Sequence, residues 1–276
     1  MRTDLPTSST TPTTSTTARL LAERHGRVLQ LTISNPGARN AMHPDLYRAA
    51  VEAFTAAAAD DGIGAIVLCG EGAHFCGGGD LKRLLAQRDL PRAEQLAHLD
   101  ALHRWAMAMQ DCPKPVIAAV EGAAAGGGFS ICLGCDLIVA AEDAKFVMSY
   151  VRIGLSPDGG GSDSLARALP PQAALELLLD GQPCSAARLH QWGVVNRVVA
   201  SGDAVANALA WAQQLALGPR QAQARIKQLV HAARGRSRRE QLDAERDAFV
   251  DSLYGAECGE GVNAFLQKRA ARYVVS

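Results

Sequence analysis

The chain has 276 residues, 48% of them hydrophobic, enough apolar material for one large core or one core with a small appendage. Its 28 basic and 28 acidic residues balance to a formal net charge of zero, which argues against a nucleic-acid-binding surface. The longest apolar stretches are interrupted by Gly, Asp and Glu, which argues against a membrane-spanning helix.

Residues 1–18, "MRTDLPTSSTTPTTSTTA", are a low-complexity Ser/Thr/Pro stretch with no hydrophobic face, and the expectation is a disordered tail. Asp4, a single arginine and the lack of amphipathic periodicity argue against a transit peptide. "GRVLQLTIS" then alternates, with Leu29, Leu31 and Ile33 on one face, and predicts a strand. After the loop "NPGARNAMHPD", Asp45 is the expected cap of a helix to Ala58 with Leu46, Ala50, Val51 and Phe54 as its apolar stripe. Gly64–Gly70 is a continuous apolar run and predicts a buried strand. It leads into the glycine run Gly77–Gly79, closed by Asp80 as a helix cap. A polar segment to about Leu96 and a helix around Leu99–Gln110 follow.

"KPVIAAVEG" is a second buried strand, running into Gly126–Gly128 and an apolar helix from Phe129 to Gly134. "DLIVAAE" and "AKFVMS" predict short strands, and "RIGLSPDGGGSDSLARAL" a loop entering a helix. From Gln172 onward nearly everything carries helical periodicity. Strands therefore interleave with helices in the first two thirds, an α/β arrangement ending in a helical block. The seven cysteines, an odd number scattered through apolar segments, fit reduced buried thiols in the cytoplasm. Cys132-x-x-Cys135 has no second pair and no histidine at ligand spacing, so core packing is expected. The basic run Arg234–Glu240 reads as a solvated helix start, or alternatively as a site for a ligand phosphate.

Both glycine runs sit between a buried strand and a helix start, where backbone N–H groups lack partners and the helix dipole favours negative charge. Neither fits a dinucleotide fingerprint, since Ile131 stands where the last glycine would be, and no Gly-Lys pair marks a phosphate loop. Gly160-Gly161-Ser162-Asp163-Ser164 lacks the final glycine of a nucleophile elbow. Two alternatives remain: N–H donors converging on one oxyanion, or tight strand–helix packing.

"HFCGGGDL" and "VEGAAAGGGFSICLGCDLIVAAEDAKFVMSYVRIGLSPDGGGSDSLAR" resemble the crotonase (enoyl-CoA hydratase/isomerase) superfamily. The resemblance runs from about Gly26 to Tyr273, with "NPGARNAM" at its CoA-binding loop and "EGVNAFLQKR" like its C-terminal helix. It implies a crotonase-type spiral of ββα units over 19–206 and a C-terminal helical trimerisation region over 207–276. It also implies assembly as a homotrimer or a dimer of trimers, and an acyl-CoA thioester as partner. No cofactor is implied beyond the CoA carried by the substrate.

On the matching positions the oxyanion donors are the N–H groups of Gly79 and Gly127. Gly77, Gly78, Asp80, Leu81, Gly126 and Tyr150 are expected to border the substrate, with Asp80 chiefly a helix cap. Ala38 and Asn40 flank the loop that resembles the adenine and pantetheine contact. Lys268 is either a contact to a CoA phosphate from a neighbouring subunit or part of a solvated helix face.

Hydratases of the superfamily carry two glutamates, and the matching positions here hold Ser130 and Tyr150. Water addition needs a base for water and an acid for the α-carbon, and an ordinary tyrosine titrates near ~10, so conventional hydration is disfavoured. Asp158 in "GLSPDGGGS" is either a turn residue or the acid–base group. Its surroundings resemble the branch of 1,2-epoxyphenylacetyl-CoA isomerases and related double-bond isomerases, in which a single aspartate does the acid–base work. A similarity to 4-chlorobenzoyl-CoA dehalogenase implies a hydrolytic alternative in which Asp158 attacks the ring and His103 activates water. There, however, Tyr150 matches a tryptophan and Gly79 an aromatic oxyanion donor. A third alternative is a member that binds acyl-CoA without turning it over.

Overall fold

The computed structural model describes residues 18–273. The expected tail over 1–18 lies outside the described residues except for Ala18, which is packed into the core. β1 (Arg19–His25) and β2 (Val28–Ser34) form an antiparallel hairpin that turns at Gly26, where φ is +63°. β1 was not expected from the sequence. It is a polar edge strand whose partner, β2, carries the buried side chains Val28, Leu31 and Ile33.

α1 (Pro44–Ala59) is capped by His43 rather than by Asp45. Pro44 occupies the first helical position, so the preceding residue must supply the cap, and His43 Nδ1 accepts from the Asp45 N–H at 3.3 Å. β3 (Ala65–Gly70) is followed by α2 (Leu81–Gln87) and α3 (Arg92–Asp111). α3 thus begins well before the expected Leu99, its polar first turns lying exposed. β4 (Val116–Val120), β5 (Ala123–Ala125), α4 (Gly127–Leu133), β6 (Leu137–Ala141) and β7 (Lys145–Val147) come next. A 3-10 turn over Ser149–Ile153 precedes α5 (Gly161–Ala168) and α6 (Pro171–Asp180). The chain ends with β8 (Cys184–Ser185), α7 (Ala186–Gln191), β9 (Arg197–Val199), α8 (Ala204–Ala216), α9 (Arg220–Ala232), α10 (Arg238–Leu253) and α11 (Ala256–Leu266).

Six strands make one sheet in the order β1-β2-β3-β4-β6-β9, parallel throughout except for the β1–β2 hairpin. A second sheet has the order β5-β7-β8. Isolated parallel bridges, Met42 with Gly79 and Cys76 with Ala124, extend this second layer toward the earlier part of the chain. β2, β3, β4 and β6 are each followed by a short extended segment in the second layer and then by helix: the ββα repeat implied by the resemblance.

The large sheet is apolar on both faces. One face joins the main core with Leu46, Phe54, Trp105, Met109 and Phe129. The other carries Val67, Cys69, Ile117 and Val139, covered by the stripe Ala204, Ala208, Ala212 and Ala216 of α8. A Cβ on Gly64 would lie 2.8 Å from the Ala216 backbone, so α8 approaches the sheet as closely as small residues allow. α8 crosses the expected 206/207 boundary and belongs, by this packing, with the sheet. Arg234–Glu240 forms a solvated helix start: Ser237 caps α10 with Glu240 in a reciprocal capping box. Among the described residues no helix is long and apolar enough to cross a membrane.

Candidate active site

A cleft of about 910 Å³ opens between the start of α1, the α2–α3 arm and the segment from Ser149 to Asp158. The two glycine runs meet at its floor. Gly126 takes φ +49° and Gly78 φ +89°, conformations that other residues rarely adopt. The runs lie so close that a Cβ on Gly78 would come within 2.6 Å of the Ala125 carbonyl oxygen. Gly128 serves the packing alternative, since its Cβ would meet Cys76 at 2.6 Å. Gly79 and Gly127 line the cleft, and among the described residues neither N–H has an acceptor. Tight packing thus accounts for Gly128, while Gly79 and Gly127 present unpartnered N–H groups at the cleft.

Asp80 is a helix cap: its Oδ1 accepts from the N–H groups of Lys82 and Arg83 at 2.9 and 3.3 Å. Gly77, Gly78, Leu81, Gly126 and Tyr150 also border the cleft. Asp158 is half-buried on its wall. The Tyr150 hydroxyl donates to Asp158 Oδ1 at 2.7 Å and lies 3.0 Å from Ser130 Oγ. Ser130 is fully buried and Tyr150 is 8% exposed. Burial, and then the negative charge of Asp158, push the Tyr150 phenol well above its ordinary range, so it is a donor and not a base. The turn after Asp158 fastens this chain: a Cβ on Gly161 would lie 2.4 Å from Ser130 Oγ, so only glycine lets the turn close over the serine.

Four of the expected site residues, Asn40, Ala38, His103 and Lys268, are not part of the cleft lining. Asn40 is 1% exposed, with φ +56°, and its side chain is spent inside the protein. It accepts from the Asn35 N–H at 3.0 Å and donates to the carbonyls of Glu71 and His74 at 2.9 and 2.7 Å. It fastens the loop, leaving no side-chain group for a ligand. Ala38 closes a 3-10 turn beside it and is not part of the cleft lining, although the adjoining Arg39 carbonyl accepts from the Gly77 N–H at 2.8 Å. His103 is exposed on α3 and does not line the cleft; the helical period brings His98 there instead. Lys268 lies in a left-handed turn after α11, at φ +52°, and not on a helix face.

Two features of the cleft escaped the sequence reading. Tyr47, on α1, lines it, and burial pushes its phenol up to about 12, with Arg83 and Asp158 as the charges acting on it. Arg83, Gln87, Gln95 and His98 form a half-buried polar cluster on the α2–α3 wall. The Arg83/Gln87 spacing of four on one helix face was the signal available for it. Cys132 and Cys135 are buried core thiols pushed well above their ordinary range by desolvation.

Residues 23–274 match the enoyl-CoA hydratase/isomerase family. The chain is 34% identical to 1,2-epoxyphenylacetyl-CoA isomerase of Escherichia coli (strain K12) over 247 residues, covering 89% of this chain and 94% of that protein. It is 33% identical to 2,3-dehydroadipyl-CoA hydratase of the same organism over 258 residues, covering 91% and 97%. The crystal structure of an enoyl-CoA hydratase from Polaromonas sp. JS666 superposes with a TM-score of 0.91 at 49% identity, covering 92% of this chain and 99% of that one. With its ββα spiral and its cleft floored by two glycine runs, the chain belongs to the enoyl-CoA hydratase/isomerase family.

Proposed function

We propose that the protein is an acyl-CoA isomerase that moves a proton along its substrate with a single carboxylate. The observation that carries this reading is the carboxylate inventory of the cleft. Among the described residues the lining holds two, Asp80 and Asp158, and Asp80 is committed to capping α2. Asp158 is left as the one carboxylate of the lining that is not committed to a helix cap.

In this reading the thioester oxygen accepts from the Gly79 and Gly127 N–H groups, which stabilise the enolate as its charge develops. One such donor contributes about 3 to 4 kcal/mol to the transition state. Asp158 removes a proton from one carbon of the allylic system and returns it to another, the negative charge passing through the thioester enolate between the two steps. Tyr150 holds Oδ1, so Oδ2 carries the proton, and removal and return occur on the same face of the substrate. Conventional hydration would need a second group at Ser130 or Tyr150. The former is a buried hydroxyl, and the latter is a phenol held protonated. The hydrolytic alternative loses its water-activating group with His103 outside the cleft.

The Asp158→Asn variant tests the reading. Acyl-CoA binding is expected to persist while solvent deuterium exchange at the α- and γ-carbons falls by about 10²- to 10⁴-fold. Incorporation of labelled water oxygen into product by the wild type would instead indicate hydration or hydrolysis. Absence of turnover over a panel of enoyl-, epoxy- and haloaryl-CoAs would indicate a binding protein.

We also infer self-association as a trimer or dimer of trimers. Phe249, Tyr254, Phe265 and Leu266, on and between α10 and α11, are between 68% and 86% exposed, an apolar surface that a second copy would cover. Light scattering on the purified chain checks this, a monomer at micromolar concentration being the contrary result. A cytoplasmic setting fits the seven free thiols, six of them buried.

A further inference from the structure

The α2–α3 wall carries a charge that the isomerase reading does not use. Arg83 is half-buried, lines the cleft, and among the described residues forms no ion pair. It is held in place all the same. With the Gln87 amide assigned by its surroundings, the Gln87 oxygen accepts from Arg83 Nε and Nη2 at 3.1 and 3.0 Å and from His98 Nδ1 at 3.2 Å. Gln95 Nε2 donates to the Gln87 carbonyl and ties α3 to the end of α2. A neutral amide thus orients the guanidinium without neutralising it, at a site where partial burial makes an unpaired charge costly.

The position of this group says which part of a thioester it faces. Leu84, the next residue along α2, lies 3.3 Å from where a Cβ of Gly79 would stand, so the helix passes directly over the inferred oxyanion donor. Tyr47 lies within electrostatic range of both Arg83 and Asp158, and its hydroxyl has no hydrogen-bond partner among the described residues. Tyr47, and Arg83 through the N–H groups not given to Gln87, therefore offer free donors in the cleft that holds Gly79 and Asp158. The phosphates of CoA are separated from the reacting carbons by the whole pantetheine arm.

We propose that Arg83, held by Gln87 and assisted by Tyr47, is a specificity residue for acyl groups that carry a carboxylate beyond the reacting carbons. The substrate class is the mono-CoA thioesters of unsaturated dicarboxylic acids. The inference rests on the acyl group occupying the cleft as in the isomerase reading, and its test is made independent of turnover.

Saturated thioesters bind without reacting, so affinity is measured for a dicarboxylic mono-CoA thioester and for the monocarboxylic thioester of the same chain length. The wild type is expected to favour the carboxylate-bearing ligand by about 10- to 100-fold, the range of a hydrogen-bonded charge. Arg83→Met is expected to abolish the preference while leaving the affinity for the monocarboxylic ligand within about twofold, and Arg83→Lys to retain part of it. A matched pair of pantetheine thioesters, which lack the adenosine phosphates, separates the two sources of negative charge. If Arg83 serves a CoA phosphate, Arg83→Met weakens both CoA ligands equally and leaves the pantetheine pair untouched. That result, or equal wild-type affinity for the two acyl groups, overturns the proposal. Failure of Asp158→Asn to abolish proton exchange bears on the isomerase reading alone and leaves these affinities unaffected.

Discussion

Tyr150 and Asp158 are joined by a hydrogen bond of 2.7 Å in which the phenol donates and the carboxylate accepts. Because the single phenol proton is spent on Asp158, Ser130 must donate in its 3.0 Å contact with the Tyr150 oxygen. The resulting chain runs from a fully buried hydroxyl to the cleft and holds one oxygen of the carboxylate. Tyr150→Phe is expected to lower kcat by about 10- to 100-fold, the worth of a hydrogen bond to a charged group, with a much smaller change in KM. Ser130→Ala, one link further away, should cost about tenfold or less. An unchanged kcat in Tyr150→Phe would reduce the chain to packing.

Adjacent glycines in the second run should respond differently to the same added methyl. A Cβ on Gly127 meets the Met42 sulfur at 2.7 Å, the end of a flexible side chain, and stands 3.6 Å from Asp158 Oδ1. Gly127→Ala is therefore expected to fold, with little change in Tm, and to lose at least about 10² in kcat/KM as the methyl displaces the thioester from its donor. A Cβ on Gly128 meets Cys76 Cβ and its carbonyl oxygen at 2.6 Å, where backbone must move. Gly128→Ala should lose roughly 1 to 3 kcal/mol of stability by chemical denaturation. Equal effects of the two substitutions on stability would remove the distinction between them.

The periodicity of β3, β4 and β6 was legible because buried parallel strands are continuous apolar runs. β1 was not, since an exposed edge strand needs no apolar face, and β5, three alanines before the glycines, was too short to carry a pattern. The glycine runs were legible as sites of close approach. Which glycine faced the cleft and which faced Cys76 depended on a φ of +49° at Gly126 that no residue pattern encodes. Asp158 stood out in its turn. The Ser130–Tyr150–Asp158 chain was hidden because its members come from α4, a 3-10 turn and a loop. His103 lies on the exposed face of α3, while His98, five residues before it and inside a helix that begins seven residues earlier than expected, lines the cleft.

Buried thiols and phenols make the protein sensitive to alkali. Burial raises Cys76 and Tyr47 to about 12 and pushes Cys132, Cys135 and Tyr150 up as well. Each native pKa is above its unfolded value, so the stabilising difference is complete below the unfolded pKa. It is lost as pH rises, because the unfolded chain releases protons that the native state retains. Thiols act first, from their ordinary value of 9.0, and phenols from 10.0. Stability should therefore be flat through neutral pH with respect to these groups and decline above about pH 9, each group contributing at most about 1.4 kcal/mol per pH unit. Thermal melts between neutral pH and the alkaline range under reducing conditions check the onset. Cys132→Ala should make the decline shallower while costing roughly 1 kcal/mol at neutral pH.

Lys227 is one of the side chains that fasten α9 to the body of the molecule, with Arg220 on Asp61 and His231 on Asp136. Lys227, on α9, donates to the carbonyls of Met109 and Lys114 at 3.0 and 3.2 Å and to Asp136 Oδ2 at 2.8 Å. The same carboxylate receives the Val116 N–H at 2.8 Å, and its other oxygen faces His231 at 2.9 Å. The side chains of Lys227 and Asp136 are only 9% and 16% exposed, so the pair is poorly hydrated and its members cannot be separated cheaply. Lys227→Met leaves the Asp136 charge and two carbonyls without their donor and is expected to cost about 3 kcal/mol in chemical denaturation. Adding Asp136→Asn to that variant removes the stranded charge while its amide oxygen still accepts from Val116. The double variant should therefore be more stable than Lys227→Met alone, although Asp136→Asn in the wild-type background is destabilising. Additive losses in this cycle would show that the two side chains act independently and that α9 is held by its apolar contacts.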